Sequence, residues 1–140
     1  MRIASDESCF ELQIRALDGG DDHGLQWLRV GIGIEVGTRK FQGEGAWMTV
    51  AECSGLITFL NAISGVSSSQ ALEFIEPNLK FSYCAESKTL TISFDQEAKP
   101  NWLASGDISF NLDRRLFDRC AKELEYALGT VTARKDGRAI

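Results

Sequence analysis

The residues best suited to chemistry in this chain are carboxylates, and Glu76 is the first of them. It lies in phase with Leu72 and Phe74 on a segment that reads as strand, so its carboxylate shares a direction with two apolar side chains. An inward carboxylate needs a partner. Either backbone amides supply it, at the break that proline forces in Glu76-Pro77-Asn78, or a ligand does. Glu97 would complete an acid–base pair of the kind a hydrolase uses, yet nothing in the spacing brings Glu76 and Glu97 together. A serine, histidine and aspartate set would have to recruit His23, the one histidine, from the loop Asp18-Gly19-Gly20-Asp21-Asp22-His23-Gly24. The aspartates of that loop lack the downstream glutamate of a helical calcium loop.

The thiols and glycines point the same way. Cys9, Cys53, Cys84 and Cys120 lie more than thirty residues apart with no C-x-x-C pair, a spacing unlike a zinc site. Cys53 and Cys120 fall in phase with apolar neighbours, and all four read as reduced residues in or near the core. No metal and no cofactor is expected. Gly31-Ile32-Gly33 with Gly37 has the wrong spacing for a phosphate loop and no helix follows, so these glycines read as a bulge or a spot where another element packs close to the strand backbone. Trp27, Trp47 and Trp102 lie near strand ends or turns. Trp102, beside Pro100 and Asn101, is the best placed as an exposed anchor.

Alternation sets the elements that would carry these residues. Phe10, Leu12, Ile14 and Ala16 make a strand, Leu28 to Val36 a longer one, and Phe41 with Trp47 a third, which together give an antiparallel meander. Thr49-Val50-Ala51-Glu52 is a capping box that opens a helix to about Ser64, with Val50, Cys53, Ile57, Leu60 and Ile63 at helical spacing. Leu72 and Phe74, then Leu79, Phe81 and Tyr83, then Leu90, Ile92 and Phe94, then Ile108, Phe110 and Leu112 give three or four more strands. Asp113 caps a second helix with Leu116, Phe117, Cys120, Leu124 and Leu128 as its stripe and Gly129 as its stop. The expected fold is α+β: one antiparallel sheet of about six to seven strands with two α-helices packed on it. Residues 1–140 form a single domain in this reading, ordered over about 9–129 and frayed from 130 to 140.

A chain of 140 residues with 44% hydrophobic and 25% charged content suits one soluble core. No apolar run approaches a membrane span, and the first residues lack the apolar stretch of a secretion signal, so the expected location is the cytoplasm. The net charge is -5 and unevenly spread. Residues 1–112 hold 8 basic and 15 acidic residues, whereas 113–140 hold 7 and 5. An acidic body repels nucleic acid and attracts basic proteins.

Phe10-Glu11-Leu12, Trp27-Leu28-Arg29-Val30, Glu76-Pro77-Asn78-Leu79-Lys80-Phe81 and Pro100-Asn101-Trp102, in that order, resemble the WapI-type immunity proteins over roughly residues 10–128. The resemblance implies a cytoplasmic bacterial antitoxin that guards its producer against a polymorphic toxin, in the named case a nuclease acting on transfer RNA. Such a protein needs no catalytic residue, and its partner is a cognate toxin protein domain. Alternation turns Glu73, Asp95 and Glu97 away from the core, so these three with Trp102 are the expected partner-binding residues, and Glu76, Pro77 and Asn78 the structural motif. Two other functions stay open at this point. One is a small ligand-binding domain or hydrolase using Glu76 and Glu97, and the other is a homo-oligomeric assembly subunit whose exposed sheet edge pairs with a copy of itself.

Overall fold

Phe10, Leu12 and Ile14 alternate with Glu11, Gln13 and Arg15, and a period of two commits this segment to a strand with one dry face. A computed structural model places it in β2 (Ser8–Gly20) and describes residues 1–20, 24–65, 68–74, 79–94 and 106–135 of the chain. The other strands are β1 (Arg2–Ala4), β3 (Gln26–Val36), β4 (Arg39–Thr49), β5 (Gln70–Glu73), β6 (Leu79–Cys84), β7 (Thr89–Phe94) and β8 (Gly106–Asn111). The helices are α1 (Val50–Gly65) and α2 (Arg114–Lys135). No helix of the described residues is long and apolar enough to cross a membrane.

The α+β class and the antiparallel pairing hold, but the single sheet of six to seven strands does not. Among the described residues eight strands form two four-stranded sheets, in the orders β1-β2-β3-β4 and β5-β6-β7-β8. Helix α1 interrupts the chain between β4 and β5, and each set of strands pairs within itself. Each sheet has one apolar face, so the two faces bury each other. Phe10 of β2 meets Phe81 of β6 edge to face at 5.5 Å, and Phe41 of β4 meets Phe94 of β7 at 6.1 Å. Strand β1 was too short to show a period. It is held by its pairing with β2 and by Ile3, which is fully buried.

Both helix starts follow their side chains. The Thr49 amide donates to the Glu52 carboxylate at 2.9 Å while the Glu52 amide donates to the Thr49 hydroxyl at 3.0 Å, a reciprocal cap on α1. The Leu116 amide donates to Asp113 Oδ1 at 3.0 Å on α2. Helix α1 buries Leu56 and Phe59 along with Cys53, Leu60 and Ile63, while Val50 and Ile57 are only partly covered. It is apolar on more than one side because sheet and second helix both press on it.

Two boundaries differ from expectation. Strand β2 continues through Asp18 and Gly19 to Gly20, so the loop starts later, with Gly19 at φ 107° taking a conformation that a side chain would resist. Helix α2 does not stop at Gly129 but continues to Lys135. Leu128 and the buried Val131 extend the stripe of Phe117, Cys120 and Leu124, and this burial outweighs the roughly 1 kcal/mol that an exposed helical glycine costs. The Thr130 and Thr132 hydroxyls donate to the Tyr126 and Leu128 carbonyls in that last stretch. The chain from 130 to 135 is therefore helical rather than frayed.

Phe81 touches Phe10, Phe59 and Phe74, so its loss removes one partner from both sheets and α1 at once. Phe81→Ala is expected to lower unfolding free energy by about 3 to 5 kcal/mol in a urea titration. Tyr126→Ala, at a ring 79% exposed, serves as the control and should change it by less than about 0.5 kcal/mol. A Phe81→Ala cost as small as the control's would remove Phe81 from its central role.

Candidate functional site

Since the inner faces of both sheets are dry, the polar residues that alternate with them stand on two outer faces. On the first sheet the register sets two rows side by side. Glu11, Gly33 and Gln42 form one, and Gln13, Gly31 and Glu44 the next. With no side chain on the middle strand, the rows enclose a groove of about 370 Å³ floored by Gly31 and Gly33.

Charge in this groove is internally matched. Glu44 accepts from Arg29 Nε on one oxygen at 3.1 Å and is ion-paired through the other with Arg15 Nε, 3.2 Å away. Arg29 also reaches Asp18 at 3.9 Å, Arg2 pairs with Glu11 at 3.1 Å, and Lys40 pairs with Glu35 at 3.4 Å. Gly31 explains how Arg15 crosses the strand. A Cβ at position 31 would lie 3.2 Å from Arg15 Nε, so the guanidinium rests on bare backbone. The close approach expected at these glycines is therefore found at Gly31, whereas a Cβ at Gly33 would meet nothing nearer than Glu11 Cβ at 3.8 Å. Sequence reasoning did not single out Glu11, Gln13, Arg15, Gln42 or Glu44. The signal was there as the polar half of each alternation.

The outer face of the second sheet is lower and differently built. Ser82, Thr91 and Ser109 share one row, and the Thr91 and Ser109 hydroxyls bond at 3.0 Å. The next row holds Glu73, Lys80, Ser93 and Asp107. Glu73 points outward as alternation requires, with its side chain 74% exposed and Lys80 Nζ 3.6 Å away. Among the described residues Asp107 is exposed without an ion pair. Asp95, Glu97 and Trp102 lie outside the described residues, as do Glu76, Pro77, Asn78 and His23.

Of the other residues considered for chemistry, Trp47 is buried and lies over Gly43 and Gly45, where a Cβ would come within 2.6 Å of the indole. Trp27 is half-buried. No group of three or more metal-ligating side chains occurs among the described residues. All four cysteines are free. Cys9, Cys53 and Cys120 are buried as expected, but Cys84 is exposed, because it ends β6 on the outward side at the turn into β7. Burial pushes the Cys53 thiol up to about 12 and raises that of Cys120. The opposite happens at Cys84. Hydrogen bonding with the Ser87 side chain, then with the backbone of Ser87 and Glu86, lowers its pKa.

The model of the Immunity protein WapI-like family matches residues 1–131, which take in all eight described strands, α1 and most of α2. No curated protein and no solved structure matches the chain.

The thiols give a direct check on this arrangement. In the folded protein Cys84 should react first with a disulfide reagent, with its rate rising at a lower pH than that of a free cysteine near about 8.5. Unfolded, non-reduced protein should yield all four thiols. Cys84→Ser should abolish the prompt phase. A prompt phase that survives this substitution would place the reactive thiol elsewhere.

Proposed function

Because the chain belongs to the WapI-like immunity protein family, we propose that it is a non-enzymatic antitoxin that binds a cognate toxin protein domain in the cytoplasm and covers its working surface. The family match over residues 1–131 is the observation that carries this reading. The acidic body supports a partner with a basic working surface, of the kind a nuclease uses to grip a phosphate backbone. Matching charges of this sort speed encounter and select the partner more than they add affinity.

The outer face of the second sheet is the better contact surface of the two. On the first sheet the carboxylates of the groove are balanced by arginines, so the groove is nearly neutral and offers a basic surface little net attraction. On the second, Glu73 keeps most of its side chain in water and Asp107 is exposed in the same row. Ser82, Thr91, Ser93 and Ser109 are short, so a broad partner can lie flat against them. Asp95 and Glu97 follow in sequence from Phe94, next to Ser93 of that row, and Trp102 adds an aromatic side chain to the same segment. We assign Glu73, Asp95, Glu97 and Trp102 to the toxin contact, with the three carboxylates steering and the indole anchoring.

Co-expression of the toxin domain with wild type should protect cells, and a Glu73→Lys, Asp95→Lys, Glu97→Lys triple variant should not. Its affinity should fall by roughly a hundredfold, with a weaker dependence on salt. Full protection and an unchanged salt slope in the triple variant would refute the acidic contact. Turnover of a substrate by the wild type in a hydrolase screen would refute the non-enzymatic reading.

A further inference from the structure

Strand β4 bonds β3 on one side, and among the described residues no strand lies along its other side. Its eleven residues make it the longest edge of either sheet, against three in β1, four in β5 and six in β8. Monomeric proteins keep edges short, bulge them or charge them against pairing. The bulge in the β3–β4 ladder lies near Met48, so the run from Arg39 to Ala46 is in unbroken register. Charge is present on that run, but its two outward charges have opposite sign. Lys40 and Glu44 stand two residues to either side of Gln42, all three exposed on one face.

Two antiparallel copies of β4 set edge to edge with Gln42 on the two-fold axis bring Lys40 of each opposite Glu44 of the other. Gln42 then faces Gln42, and a carboxamide is its own hydrogen-bonding complement. A slip of two residues loses both ion pairs. A slip of four puts Lys40 against Lys40 or Glu44 against Glu44, and a slip of one reverses the apolar face. The favoured register also extends charges already in place. Lys40 sits 3.4 Å from Glu35, and Glu44 sits between Arg15 and Arg29, so signs alternate across the junction. On the inner side Phe41 falls opposite Gly43, which has no side chain to obstruct it.

We propose that this chain self-associates as a symmetric dimer through β4, with Gln42 on the axis, joining two four-stranded sheets into one of eight. The occupant of the edge is a second copy because the complement to Lys40 and Glu44 is the same strand reversed. Phe41 and Trp47 are already buried in one chain, so pairing adds backbone bonds and ion pairs with little apolar area. A strand pair of this length buries less than the roughly 1,200 Å² of a standard interface, so the dimer exchanges with monomer. The toxin-binding role does not depend on it.

Sedimentation at low salt should show dimer growing with protein concentration over about 10 µM to 1 mM, as expected for an association of this size. Gln42→Cys, in a Cys84→Ser background, places two thiols on the axis at a strand separation that a disulfide spans, and should oxidise to a covalent dimer. Asn111→Cys in the same background, on the outer face of β8, should remain monomeric. Gln42→Lys puts like charges on the axis and should remove self-association while leaving the unfolding midpoint of dilute, monomeric protein unchanged. The proposal fails if wild type sediments as monomer throughout, if Gln42→Cys cross-links no faster than Asn111→Cys, or if Gln42→Lys dimerises like wild type.

Discussion

A four-stranded sheet with one apolar face cannot keep that face dry alone, and here the Phe81 ring is where the two sheets and the first helix solve the problem together. Phe81 lies on β6, inside its sheet, and meets Phe10 of β2, inside the other, at an interplanar angle of 88°. Phe74 and Phe59 approach the same ring at 75° and 77°. Edge-to-face contacts fix orientation as well as distance and add about 0.5 to 1.5 kcal/mol per pair beyond burial. A shift of one sheet over the other would break the Phe10–Phe81 contact and the tilted Phe41–Phe94 contact together. The aromatic cluster therefore sets the relation between sheets, and α1 is held against it through Phe59.

With the interior fixed this way, the outer faces are released from stabilising the fold, and they have been built for different ends. The ion pairs across the first sheet are half-exposed, and pairs of that kind contribute about 0 to 1 kcal/mol each. Their effect is to hold long side chains across a glycine floor in one arrangement and to leave the groove nearly neutral. The second sheet carries hydroxyls that pair locally and carboxylates that stay in water. One face has a defined relief, and the other is smooth with charge at its end. The edge proposed for a second copy and the face proposed for a toxin belong to different sheets, so the two roles do not compete.

Much of this arrangement was legible in the sequence because local chemistry decides it. The capping box at Thr49 and Glu52, the Asp113 cap, the alternation in β2, β3 and β7 and the outward direction of Glu73 each depend on residues within a few positions. What was not legible depends on distant partners. Periodicity says that a strand has a dry face but not which sheet it joins, so two sheets read as one. Gly129 carries a stop signal, and only the packing of Val131 overrides it. Cys84 resembled its buried fellows in composition, and its turn position at the end of β6 is what exposes it. The groove was missed because Glu11, Gln13, Gln42 and Glu44 look like ordinary solvated positions until register brings them into rows around two glycines.

The interior and the β4 edge are linked through Trp47. Glycine in a strand costs about 0.5 to 1 kcal/mol relative to alanine, and β4 carries two on its inner side, Gly43 and Gly45. The indole of Trp47 folds back over both, where a Cβ at either would come within 2.6 Å of the ring, so one flat side chain covers the ground that two would have filled. Phe41 continues that cover toward Phe94. Because a planar group lies along the strand instead of branched side chains standing on it, the edge gains a dry inner face without a bulge between Arg39 and Ala46. Lys40, Gln42 and Glu44 then stay in step on the outer side, and the packing that closes the core is also what keeps their charges symmetric about one residue.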